Sequence, residues 1–135
     1  MTTINTSDLT YTYHTDTDIH EFTFHKSSRQ AVDDWLAQMN VIYEDKTRDD
    51  HLHFLMDARE SGTLPLSYIF TKATKWVQQL RVHPRVRLAL LNKPGESILT
   101  AMTDKIVKTM RLGHLEMTNF YGDSKAEAIT WLLKK

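Results

Sequence analysis

The chain has 135 residues, 17 basic against 17 acidic side chains and no cysteine. One domain with its own core fits this size, a hydrophobic share of 41% argues against disorder, and zero net charge lacks the basic surplus expected of a duplex-binding protein. Disulfides, thiolate nucleophiles and cysteine-based zinc sites are excluded outright.

Residues 1–10 are polar and lack the apolar core of a signal peptide, and residues 1–8 are expected to fray. No apolar run approaches the ~20 residues of a membrane span. A cytoplasmic protein is the expectation, read as one domain over 1–135.

Leu9–Tyr13 and Ile19–Phe24 are rich in threonine and aromatic residues, with Thr15-Asp16-Thr17-Asp18 between them. That pattern predicts a β-hairpin. Ser27, three residues before Gln30, has capping-box spacing. Ala31, Val32, Trp35, Leu36 and Met39 then recur at helical spacing to about Tyr43. After a charged turn, His51–Asp57 reads as a central strand. Residues Arg59 to Pro65 break it, and Pro65 suits the first turn of the next helix. The buried face of that helix is expected at Leu66, Ile69, Phe70, Ala73, Trp76, Val77 and Leu80, with His83-Pro84 as its stop.

Arg85–Leu91 is the next strand, continuous enough at its end to be covered on both faces. A helix over about Glu96–Arg111 follows, with Gly113 as its closing residue. Leu115–Phe120 is a last strand. Ser124 and Glu127 repeat the capping-box spacing ahead of a C-terminal helix carrying Ala128, Ile129, Trp131, Leu132 and Leu133. Lys134 and Lys135 would complement its dipole. A hairpin followed by repeated βα units predicts an α/β domain. Its sheet should be mixed and mostly parallel, flanked by helices, with an antiparallel strand at one edge.

Three stretches carry a family resemblance. They are Leu55-Met56-Asp57 with the glycine-containing turn and long helix after it, Arg85–Leu90, and Phe120–Leu132 with its Glu-Ala and Trp-Leu finish. Together they resemble the STAS fold of anti-sigma-factor antagonists, in its SpoIIAA-like branch. The resemblance implies a non-enzymatic regulatory module that binds a regulatory protein or kinase. Antagonists of this family are switched by phosphorylation of a serine in an Asp-Ser-Ser-Gly turn. Here Glu60-Ser61-Gly62 occupies that place, which marks Ser61.

Ligands of parallel α/β sheets bind beyond the carboxyl ends of the strands. The polar residues expected at that edge are Asp57, Arg59, Ser61, Thr63, Asn92 and Lys93. Helix N-termini there would favour an anion. Seven histidines (His14, His20, His25, His51, His53, His83, His114) lack metal-binding spacing; His51 and His53 share a strand face, and a third ligand would have to come from His20 or His25. Neither a serine nucleophile elbow nor a glycine-rich phosphate loop occurs. No catalytic centre, metal or cofactor is therefore expected. The alternative to a protein-interaction module is a binding protein for a small apolar or anionic ligand, lined by tryptophans and adaptable methionines. The apolar face of the 96–111 helix, at Leu99, Met102, Ile106, Val107 and Met110, could cover the core, such a ligand or the second copy of a homodimer.

Overall fold

The computed structural model describes residues 2–94 and 115–134. Six strands form one sheet in chain order, β1 (Thr2–Asn5), β2 (Leu9–His14), β3 (Ile19–Phe24), β4 (His51–Asp57), β5 (Arg85–Asn92) and β6 (Leu115–Tyr121). The first three pair antiparallel, and β3 to β6 run parallel. Helix α1 (Arg29–Tyr43) joins β3 to β4, α2 (Leu66–Gln79) joins β4 to β5, and α3 (Lys125–Leu132) follows β6. The expected α/β architecture with its hairpin and mixed sheet is the observed one. The expected helix at 96–111 and the role given to Gly113 lie outside the described residues.

Strand alternation sorts the side chains into two cores. Phe22, Phe24, Leu52, Phe54, Met56, Val86 and Leu88 pack with Val32, Trp35, Leu36 and Met39 of α1. On the opposite face Ile19, Leu55 and Ala89 pack under Ala128 and Leu132 of α3. A strand sandwiched this way needs apolar residues in both registers, which is why β4 reads as an unbroken run. Arg87 stands on the α3 side, and its guanidinium donates to the carbonyls of Trp131 (3.3 Å) and Lys134. A cation thus caps the carbonyl end of α3, the role expected of Lys134 and Lys135.

Several local expectations change. Residues 2–5, read as part of a frayed segment, pair with β2 from Thr2↔Tyr13 to Asn5↔Thr10. A four-residue uncharged edge strand carries too little pattern to stand out. The α1 cap is Ser28, not Ser27: Ser28 has extended backbone angles and accepts the Ala31 N–H. Ser27 instead donates to the carbonyl of Thr63. Ser124 precedes α3, but its side chain makes no capping bond. In α2 only Ala73 is fully buried. Trp76 stays half-exposed because its Nε1–H reaches Asn40 Oδ1 at the surface (2.6 Å).

Candidate functional site at the strand ends

Asp57 closes β4 on the α3 side of the sheet, and the residue is only 7% exposed. A buried carboxylate needs partners, and the chain supplies one two residues later. Arg59 folds back so that Nε lies 3.0 Å from Oδ1 and Nη2 lies 2.8 Å from Oδ2, while its backbone N–H donates to Oδ1 at 3.1 Å. Burial alone would push the Asp57 carboxyl up, but the hydrogen bonds and charge of Arg59 outweigh it and hold the group below its ordinary value. The remaining arm of Arg59 donates to the carbonyl of Gly122 (3.1 Å), so the β4 end is tied to the β6–α3 turn.

Asn92 ends β5 with 1% exposure. Its Nδ2 donates to Asn119 Oδ1 at 3.1 Å and to the Phe120 carbonyl at 3.3 Å. Its own carbonyl accepts the Gly122 N–H at 2.9 Å. Gly122 holds φ +61, a left-handed conformation that favours glycine. Asn92 is therefore a pin between β5 and β6 rather than a surface group.

Ser61 lies in the turn after β4 and is half-buried. Its hydroxyl is placed to donate to the carbonyls of Gly62 (3.0 Å) and Ala58 (3.4 Å). The Gly62 N–H also closes on Ala58 (2.9 Å), with Gly62 at φ +75. Thr63 and Lys93 are exposed. Of the six residues marked in the sequence, Asp57 and Arg59 touch directly and Asn92 joins them through Gly122. Ser61 bonds within its own turn, and Thr63 accepts from Ser27.

Contacts that the sequence did not foresee join further residues to this network. His25, just past β3, places Nδ1 2.5 Å from Glu60 Oε2 and Nε2 2.7 Å from Thr10 Oγ1. Thr10 in turn donates to Asn5 Oδ1 (2.7 Å). This chain ties the Ser61 turn to β2 and β1. Glu21 bridges Lys125 of α3 (2.9 Å) and His14 (2.8 Å). The His25–Glu60 contact follows from the strand order, because β3 and β4 are parallel neighbours whose carboxyl ends share an edge.

The histidines are dispersed. His20 is buried beside Tyr11, His53 is half-buried with Nδ1 unpartnered among the described residues, and His51 is exposed. Among the described residues no group of three His, Cys, Asp or Glu side chains is placed to hold a metal ion. No helix among them is long and apolar enough to cross a membrane. Comparison with known proteins brings no family model, curated protein or solved structure that matches this chain.

Proposed function

We propose that this protein is a non-enzymatic regulatory module of STAS type. Its working surface is the edge carrying Ser61, Thr63 and Lys93, and it is read by a partner protein or kinase. The observation that carries this reading is the Ser61 turn itself. It is half-exposed, held by the Gly62–Ala58 bond and fastened from outside by Ser27 and His25. A turn anchored on both sides presents one hydroxyl in a defined place, as a modification or docking site requires. The neighbouring charges are matched into pairs, Asp57 with Arg59 and Glu21 with Lys125. Such pairing suits recognition better than proton transfer, which draws on groups poised near neutral pH.

Affinity capture with the wild-type protein and Ser61→Asp, followed by mass-spectrometric mapping of phosphate on the recovered chain, tests the proposal. A specific partner recovered by one form and lost with the other is expected. Identical recoveries, with Ser61 never modified in cells, would overturn it.

A second reading, a binding protein for a small apolar or anionic ligand, draws on two buried polar atoms that have no hydrogen-bond partner among the described residues, Trp35 Nε1 in α1 and Thr74 Oγ1 in α2. Native mass spectrometry of the purified protein decides it, since a bare-chain mass after gentle purification refutes retained ligand.

A further inference from the structure

We infer that the β1 edge, with the flank of α1 beside it, is a self-association surface that pairs this chain with a second copy. The inference is independent of the Ser61 reading. Among the described residues β1 is the outermost strand of the sheet and pairs only with β2. Sheet edges are usually protected by charge, proline or a bulge. Thr2-Thr3-Ile4-Asn5 contains no charge and no proline, and its register with β2 runs without a bulge.

The large exposed hydrophobic side chains among the described residues are Ile4 (47%), Val41 (58%) and Leu133 (41%). The first two belong to one flank. Ile4 is the register partner of Tyr11, and Tyr11 packs in the same buried cluster as Trp35, Leu36 and Met39 of α1. Thr6, just past β1, donates to Asp34 of α1 (3.1 Å). Asp34, Gln38 and Val41 succeed one another at helical spacing, so they share the stripe of α1 turned toward β1. Two exposed apolar side chains, Ile4 of β1 and Val41 of α1, thus lie on one flank of the edge, with the polar Asp34 and Gln38 on the same helix stripe.

A second copy is the occupant that satisfies this surface. Two identical strands paired antiparallel about a two-fold axis make an isologous, closed contact. Keeping each copy's faces aligned across that axis requires a residue to face itself, and Ile4 opposite Ile4 of the partner subunit does so. Because β1 is uncharged, the pairing sets no like charges opposite one another. Helix α1 packs over β2. The two α1 helices would then stand about three strand spacings apart, roughly 14 Å. Directly packed helices sit about 8–10 Å apart, so the difference leaves a slot for one layer of side chains. The facing Ile4 residues form its floor and Val41 from each copy its walls. The contact is small beside the roughly 1,200–2,000 Å² of a tight complex, so association is weak and concentration-dependent.

Sedimentation velocity from about 5 µM to about 500 µM tests this, since a small interface associates in that range. The mass should rise from 15.8 kDa toward twice that value in the wild type. Ile4→Lys and Val41→Lys should stay monomeric with unchanged circular dichroism, whereas Leu133→Lys should follow the wild type. The chain has no cysteine, so Ile4→Cys offers a clean second test. Facing residues in an antiparallel pair have Cα atoms about 4.5–5.5 Å apart, within disulfide reach. Mild oxidation should therefore cross-link Ile4→Cys but not Leu133→Cys. A mass flat across the range, dimerisation that survives Ile4→Lys, or Ile4→Cys that fails to cross-link would overturn the inference.

Discussion

Acid should destabilise this protein well above the range where carboxylates titrate, and His20 is the reason. Its ring is 7% exposed. Nδ1 lies 2.8 Å from the Tyr11 hydroxyl, and the ring stacks on Tyr13 with centroids 4.7 Å apart. Phe54 closes over it at 5.3 Å. Burial among these rings penalises the imidazolium and lowers the His20 pKa from 6.5 to about 4. Tyr11 is displaced the other way by burial, up to about 12, so its hydroxyl keeps its proton throughout the relevant range.

The folded form binds the His20 proton less readily than the unfolded chain does. Well above pH 6.5 neither form is protonated and the site contributes no pH dependence. Below it the unfolded chain takes up the proton first, so stability falls until the pH reaches the folded value. A shift from 6.5 to about 4, at about 1.4 kcal/mol per unit, caps the loss near 3 kcal/mol. About 2 kcal/mol of it falls between pH 7 and pH 5. His53, also lowered by burial, adds in the same direction. Urea unfolding followed by tryptophan fluorescence at half-unit pH steps measures the curve. The double variant His20→Phe, Tyr11→Phe removes both polar partners together and should flatten that segment without leaving an orphaned hydroxyl. A variant curve parallel to the wild type between pH 7 and pH 5 would refute the assignment.

Other substitutions test the strand-end network and the helix caps. Asp57→Asn should cost about 2 kcal/mol in urea unfolding by leaving Arg59 without its carboxylate. Because the Asp57 pKa is lowered in the fold, the ionised pair stabilises above the unfolded carboxylate pKa and that gain disappears as the pH falls through the folded one. Ser28→Ala should cost about 1 kcal/mol and Ser27→Ala less, since Ser28 alone caps α1; equal costs would show that the cap is misassigned. Arg87→Met should loosen α3, raising amide exchange at Trp131 to Lys134 and costing about 1 kcal/mol. Unchanged exchange there would mean that the carbonyl contacts carry no weight.

What could be read in the sequence followed from periodicity. Strands β2 to β6 and the three described helices each carry an alternation or a helical stripe longer than one turn, and their limits fall within a few residues of expectation. The misses share a cause. β1 is too short to carry a pattern, and only Tyr11 and its neighbours across the ladder define it. The choice between Ser27 and Ser28 depends on backbone angles that adjacent serines do not encode. At the strand ends, Asp57 and Arg59 were both marked as edge residues, two positions apart in the chain, although their pairing was not foreseen. The contacts of His25 with Glu60 and of Lys125 with Glu21 span 35 and 104 residues. They exist only because β3 and β4 are neighbours and α3 returns across them. The six marked residues were a projection of topology onto sequence. The sequence could not tell that Asn92 faces inward while Lys93 faces out.

The same geometry decides what a negative charge at Ser61 would do. The hydroxyl is set to donate to Gly62 and Ala58, and a phosphate ester has no such proton. Phosphorylation would set a charge of about −1.5 to −2 against two carbonyls and beside Glu60 in the chain. Arg59 is the nearest cation in sequence, yet its guanidinium is already held by Asp57 and Gly122. Drawing Arg59 to the phosphate would therefore mean dismantling its pair with Asp57. The modification should loosen the 58–63 turn rather than lock it, by about 1 kcal/mol for the one hydrogen bond the hydroxyl proton makes. Ser61→Asp should speed amide exchange at Gly62, whose N–H closes the turn on Ala58. Ser61→Ala, which loses the bond without adding charge, should do so less. Slower exchange in Ser61→Asp than in wild type would mean that a cation has been recruited, and would turn the switch from a release into a clamp.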